Sequence, residues 1–269
     1  MLQQTQVDRV IPKFHQFLAA FPTLADLAAA PVAEVIRVWK GLGYNRRAVR
    51  LHAIARQAVE HFGGALPAGA DALRELDGLG AYTANAVACF SADAQVAPVD
   101  TNVRRVLGRV FAEEIGLDPP AGPLFQHFAD AALPASRAYD WNQALMDLGA
   151  TVCTARSPDH DACPLALLCT GRAQVSSADT GRRAAERGAG YKAAVPFEQT
   201  TRYFRGRIVD WCRALGPGET VSLDDLGRAL RPDYAPEHRE WVAGLVAGLH
   251  RDGLLAVDEQ SGEPRVSLP

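Results

Sequence analysis

Over the first 150 residues apolar side chains return every three or four positions, in runs broken by Pro or Gly. Phe14, Phe17, Leu18 and Phe21 fall at i, i+3, i+4 and i+7, the spacing of one helix face. Pro22 then ends the run, and Thr23 stands where the next helix needs a cap. The same period predicts helices over Thr23 to Ala29, Pro31 to Lys40, Arg46 to Phe62, Ala70 to Leu76, Ala81 to Phe90, Thr101 to Phe111, Leu124 to Leu133 and Asp140 to Leu148. No convincing alternation of apolar and polar residues precedes residue 200, so the expectation is an all-α domain.

Residues 171–195 (GRAQVSSADTGRRAAERGAGYKAAV) lack a sustained apolar face and are rich in Gly, Ala, Ser and Arg, which predicts a linker or a loosely held connection. Beyond it, Arg205 to Leu215, Leu223 to Leu230 and Glu237 to Asp252 have helical periodicity, and LLAVDEQSGEPRVSLP predicts two short strands around a Ser-Gly turn. Residues 196–269 are therefore expected to form a small winged-helix-like α+β domain.

Composition narrows the class. A chain of 269 residues that is 48% hydrophobic can fill a sizeable core. It has no run of about 18 apolar residues, and MLQQTQVDRV lacks the apolar centre of a secretion signal. A cytoplasmic, monomeric protein without membrane contact is expected. Three of the five cysteines fall within 17 residues, which in a reducing compartment favours metal ligands over disulfides.

The net charge of −3 argues at first against nucleic acid. Its distribution changes that: residues 208–269 carry 6 basic and 11 acidic side chains, leaving residues 1–207 at +2. Arg37, Lys40, Arg46, Arg47, Arg50 and Arg56 follow one another with no acid between them, which fits either a solvated helix face or a phosphate-binding one. The acidic carboxy-terminal part points to packing or protein contact at least as readily as to DNA.

Three stretches carry candidate chemistry. In LDGLGAYTANAV, Gly78 and Gly80 precede a helix start, where free amides can grip a phosphate or where glycines simply permit close packing. In VDTNVRRVLGRVF, Asp100 either caps a helix or, if Thr101 or Asn102 caps instead, stands free to face developing positive charge on a sugar. In CTARSPDHDACPLALLC, Cys153, Cys163 and Cys169 stand at cluster-like spacing with His160 among them.

MLQQTQV, WKGLGYNRR, LDGLGAYTANAV, VDTNVRRVL and WNQALMDLGATVCT, in this order, resemble the helix-hairpin-helix (HhH-GPD) DNA glycosylases, and within them most resemble the MutY-type adenine DNA glycosylases. The likeness covers residues 1 to about 170. It implies a mainly α, two-lobed fold with DNA across the cleft, a flipped base, and cleavage of the N-glycosidic bond. It further implies that Asp100 stabilises an oxocarbenium-like sugar, with Asn102 beside it. By the same likeness Gln3, Gln4 and Thr5 line the lesion pocket, Tyr44 wedges into the opposite strand, Arg46 lies on the DNA-binding stretch, and Gly78 and Gly80 grip phosphate. Tyr82 stands where the related endonuclease III branch has a lysine. A tyrosine cannot form the lysine's Schiff base, so base removal without efficient strand cleavage is expected.

Two departures accompany the likeness. The family's general-acid glutamate lies two residues before the Met of MLQQT, and here that Met is residue 1; a start there would impair catalysis, leave a DNA-binding protein, and expose apolar surface on the opening helix. The family's four-cysteine spacing is complete, but its second ligand is His160. A [4Fe-4S] cluster with one imidazole ligand is expected, with zinc or no metal as alternatives. The substrate expected is double-stranded DNA with adenine opposite 8-oxoguanine or guanine. Because residues 196–269 are too short for the usual 8-oxoguanine-reading domain, a mismatch thymine or uracil glycosylase is the rival.

Overall fold

A computed structural model describes residues 1–178, 195–259 and 262–269. They belong to two compact units, Met1–Ala65 with Ala194–Pro269, and Leu66–Ala193. Among the described residues no helix is long and apolar enough to cross a membrane.

The first unit opens with α1 (Val7–Ala20), α2 (Leu24–Ala29), α3 (Val32–Val38) and α4 (Arg46–Phe62). Thr23 caps α2 as its sequence position predicts: its side chain accepts from the Asp26 N–H, and the Asp26 carboxylate accepts in return from the Thr23 N–H. Val10 and Phe17 of α1 and Phe21 just beyond it are buried, the two phenylalanines packing edge-on at 5.0 Å. Val7, Ile11, Phe14 and Leu18 stay exposed along a second face.

The carboxy-terminal part adds α12 (Thr201–Ala214), β1 (Val221–Ser222), α13 (Leu223–Leu230), α14 (Arg239–Arg251), β2 (Ala256–Asp258) and β3 (Arg265–Ser267). Its sheet has the order β1-β3-β2 and is antiparallel throughout, with Val221 opposite Val266 and Val257 opposite Val266. The two-residue β1 is too short to show alternation, which is why sequence periodicity predicts only β2 and β3. Part of the turn between those strands, residues 260–261, lies outside the described residues.

The chain-wise partition into 1–170, 171–195 and 196–269 differs from the compact units because α3 has two buried faces. Val35 packs with Phe17, Leu27 and Trp39, whereas Ile36, its neighbour, packs with Ile208, Val209, Leu245 and Leu249 of the carboxy-terminal helices. Both are fully buried, each contributing about 1.5–3 kcal/mol of transfer energy. Arg213 reinforces the same join, donating to the Ile36 carbonyl at 3.0 Å and to Asn45 Oδ1 at 2.9 Å.

The second unit contains α5 (Ala70–Arg74), α6 (Ala81–Ala92), α7 (Thr101–Val110), the single-turn α8 (Ala112–Ile115), α9 (Pro123–Ala131), α10 (Ala138–Thr151) and α11 (Arg172–Ala178). Val103, Val106 and Leu107 of α7 pack with Phe125 and Ala129 of α9 and Leu145 of α10. α11 corrects the linker expectation at its start: Val175 is buried, so this stretch is held against the domain. The remainder of the expected linker, 179–194, lies outside the described residues.

Candidate functional site

In the second unit the chemistry gathers at the head of α7. Asp100 is the N-cap of this helix, and its Oδ1 accepts from the Val103 N–H at 2.7 Å. The alternative in which Thr101 or Asn102 caps and leaves Asp100 free is thereby overturned. Capping occupies only one oxygen. The other, Oδ2, accepts from Asn102 Nδ2 at 3.3 Å. The carboxylate is thus held from two directions while the residue stays partly exposed.

Asn102 is oriented in turn. Arg105 Nη2 donates to Asn102 Oδ1 at 2.7 Å and to the Gly149 carbonyl at 2.7 Å, and its Nε donates to the Cys153 carbonyl at 2.9 Å. With its oxygen engaged by a guanidinium, the Asn102 amide can only present N–H to Asp100. This requires α10 to lie very close to α7. A Cβ added at Gly149 would stand 2.7 Å from Asn102 Cβ, nearer than carbon atoms approach, so glycine is the residue that lets the two helices meet here.

Tyr82, in the first turn of α6, feels the same carboxylate: burial pushes its phenol pKa up, and the Asp100 charge pushes it further. The phenol therefore stays protonated and neutral at working pH. Before α6, Gly78 adopts φ +94°, a left-handed conformation that a side chain would strain. Gly80 is the N-cap of α6 and offers it no side-chain cap. A Cβ at Gly80 would meet no described residue within 4 Å, so that face of the hairpin is open to them.

The cysteine loop is fastened to the other half of α7. Arg109, 5% exposed, donates through Nη1 to the Thr154 carbonyl at 2.8 Å and to Cys153 Sγ at 3.4 Å, and through Nη2 to the Ala155 carbonyl at 3.2 Å. The Cys169 thiol donates to the Arg109 carbonyl at 3.2 Å. Cys153, His160, Cys163 and Cys169 line one hollow together with Val106 and Arg109. Burial pushes the Cys169 thiol pKa up, and Cys153 and Cys163 contribute in the same direction, so the three sulfurs are electrostatic neighbours. Among the described residues no three His, Cys, Asp or Glu side chains are grouped as a single metal ion requires. A mononuclear zinc site needs four ligands within about 2.0–2.3 Å of one point. A ring around a shared hollow suits a larger, multi-iron group better.

The remaining predicted residues lie in the first unit. Thr5 Oγ1 donates to the Leu42 carbonyl at 3.3 Å, Gln4 adopts φ +59° and Tyr44 φ +45°. Arg47, which sequence reasoning leaves in a general basic stretch, organises them. Its Nη1 donates to the Met1 carbonyl at 2.9 Å and to the Gln3 carbonyl, and its Nη2 donates to Thr5 Oγ1 at 2.9 Å and to the Leu42 carbonyl at 3.1 Å. The guanidinium also lies 5.3 Å from the Trp39 ring centre and 5.5 Å from that of Tyr44. Arg46, the predicted DNA contact, pairs with Asp252 at 3.5 Å. Arg47, Arg105 and Arg109 are the organising residues that sequence reasoning did not single out. The one available signal was that Arg105 and Arg109 stand four positions apart on α7 and so share a face of that helix.

Comparison with known proteins gives the chain a family. Residues 1–116 match the family described as HhH-GPD superfamily base excision DNA repair protein, and residues 153–169 match the iron-sulfur binding domain of endonuclease III. The chain is 44% identical to an adenine DNA glycosylase of Mycolicibacterium smegmatis over 271 residues, covering 98% of this chain and 87% of that protein. It is also 44% identical to the human adenine DNA glycosylase over 179 residues, but spans 32% of that protein's length. Among solved structures, a thermostable thymine-DNA glycosylase superposes with a TM-score of 0.59 at 28% identity, covering 64% of this chain and 80% of that one. An endonuclease III–DNA complex superposes with a TM-score of 0.53 at 22% identity, covering 64% of this chain and 79% of that one, a likeness of fold.

Proposed function

We propose, from the premise that this chain belongs to the HhH-GPD superfamily and within it to the adenine DNA glycosylases, that it removes adenine from duplex DNA in which the base stands opposite guanine or 8-oxoguanine. The carrying observation is the Asp100–Asn102–Arg105 chain at the head of α7. Breaking an N-glycosidic bond places positive charge on the sugar, and a carboxylate fixed in advance stabilises that charge without reorganising. The cap bond and the Asn102 amide hold the Asp100 carboxyl group in one orientation, and Arg105 keeps Asn102 from turning away. Tyr82 supplies a neutral hydroxyl beside Asp100 and no amine, which supports base release without Schiff-base strand cleavage.

Cys153, His160, Cys163 and Cys169 would hold a [4Fe-4S] cluster, which the matching iron-sulfur domain and their common hollow support. Bound there, its chemistry is ligation, stapling the loop after α10 to α7. For the DNA contacts, Gln3, Gln4 and Thr5 are read as lining the base pocket and Tyr44 as the wedge. The strained backbone at Gln4 and Tyr44 supports that reading, since such conformations concentrate at ligand-facing positions. Gly78 and Gly80 are read as the phosphate grip, with open amides at the start of α6.

The likeness to a thymine-DNA glycosylase favours thymine or uracil release from mismatches as the second reading. A panel of duplexes separates them. Adenine opposite guanine or 8-oxoguanine should be released, leaving an abasic site that breaks only on later alkali treatment. Release of thymine or uracil alone would establish the second reading, and tight binding without any release would make the protein a DNA-binding one.

A further inference from the structure

Exposed aromatic rings and arginines alternate along one edge of the first unit. Arg202, in the first turn of α12, lays its guanidinium over the Tyr44 ring at 4.1 Å from the ring centre and stands 6.0 Å from that of Phe197. Phe197 meets Tyr203 edge-on at 5.6 Å, and Arg207 donates to the Tyr203 hydroxyl at 3.1 Å. Phe197 is 55% exposed and Tyr44 40%, so both rings are open to solvent.

A guanidinium stacked on a ring keeps its N–H donors in the plane of the stack, pointing outward, as phosphate recognition requires. Arg202 uses none of them on a described residue: it makes no hydrogen bond and no ion pair. Between Glu198 and Asp210 the charged residues are Arg202, Arg205 and Arg207. Of these, Arg205 is taken by Asp252 at 2.6 Å, which also faces Arg46 at 3.5 Å, and several other acids of the carboxy-terminal part are likewise held by arginines away from Arg202. Asp210 pairs with Arg213, Asp225 with Arg228, Asp233 with Arg231, and Asp224 and Glu263 with Arg239.

We propose that Arg202 and Phe197 extend the DNA-contact surface from Tyr44 onto the carboxy-terminal part, with the Arg202 guanidinium taking a phosphate of the strand that passes the tyrosine. The charge of the carboxy-terminal part leaves packing, protein contact and DNA open, and for this edge the proposal takes DNA. The inference rests on Tyr44 meeting DNA.

Fluorescence anisotropy of the whole chain with a labelled duplex containing adenine opposite guanine, repeated over a salt series, tests it. Arg202→Ala should bind roughly tenfold more weakly and lower the slope of log affinity against log salt by about one, the loss of one phosphate contact. Arg202→Lys should keep the slope while binding more weakly, and Phe197→Ala should weaken binding at an unchanged slope. Arg228→Ala, which removes an exposed arginine already paired with Asp225, is the control and should change neither. An Arg202→Ala protein with wild-type slope and affinity overturns the proposal, as does an equal loss of slope in Arg228→Ala. Tyr44→Ala is the separate arm: if it leaves binding unchanged, the wedge reading fails, and the Arg202 slope still reports on the arginine by itself.

Discussion

Two arginine-centred networks serve opposite ends of the proposed reaction. Arg105 engages Asn102, the Gly149 carbonyl and the Cys153 carbonyl, all in helices or at a helix end. Arg47 engages the carbonyls of Met1, Gln3 and Leu42, in segments outside helices, with Gln4 and Tyr44 at positive φ between them. The first network adds direction to helices already held by their own hydrogen bonds. The second ties together segments that have no helix bonds of their own. A carboxylate that must face one developing charge gains from rigid elements, whereas segments that must receive a duplex gain from adaptable ones.

The sharpest way to break this contrast is at the carboxylate. Asp100→Asn keeps a good N-cap, so the thermal transition should stay nearly unchanged, yet base release should fall by about 10³-fold or more as fixed negative charge is lost. Single-turnover release and anisotropy together would show chemistry lost and binding kept. Comparable turnover would remove Asp100 from the mechanism.

Arg109 comes next. Arg109→Ala strips the cysteine loop of three bonds in a buried setting and should cost about 3 kcal/mol of stability, together with iron retained on purification. Arg47→Ala exposes acceptors that water can reach and should cost only about 1 kcal/mol, its larger effect being on duplex affinity. Equal losses in thermal unfolding would erase the distinction between a frame and its fastener.

Between these lies Gly149. A Cβ there meets Asn102 at 2.7 Å, so Gly149→Ala should cost about 2 kcal/mol and lower the rate of base release with duplex affinity unaltered. A variant with full rate would mean that the spacing of α7 and α10 does not set the Asp100–Asn102 geometry.

What the sequence made legible follows the same division. Helices with one apolar face were readable from period alone, and the carrier residues Asp100, Asn102 and Tyr82 stood in motifs. The burial of Ile36 was not readable as it happened, because a position that faces a second core looks like any other apolar residue of α3. The α1 series was readable as a helix, but the period alone did not tell Phe17 and Phe21, which turn inward, from Phe14 and Leu18, which stay exposed. The arginines could not be sorted by sequence. Composition registers charge, but whether a guanidinium faces DNA or a row of carbonyls depends on tertiary neighbours. Arg46 and Arg47 are adjacent in sequence and differ completely in partners.

The smallest effect at neutral pH concerns two buried thiols, and it carries the contrast into the cores. Cys89, in the second unit, accepts from Asn142 Nδ2 at 3.4 Å, a bond that partly offsets the upward push of burial on its pKa. Cys212, in the first unit, sits among apolar neighbours and is pushed up to about 12 by burial alone, from an ordinary 9.0. A thiol with a raised folded pKa stays neutral in the native protein after the unfolded one has ionised. The stability it confers is therefore complete below about pH 9 and falls as pH climbs towards 12, by at most about 1.4 kcal/mol per pH unit. Denaturant titrations of the wild type and Cys212→Ala across that window cancel the other titrating groups, and the stability advantage of the wild type over the variant should shrink as pH rises. Cys89→Ala should show a shallower trend, because its site already offers a donor to the thiolate. Equal slopes would mean that hydrogen bonding does not distinguish the two cores as it distinguishes the two arginine networks.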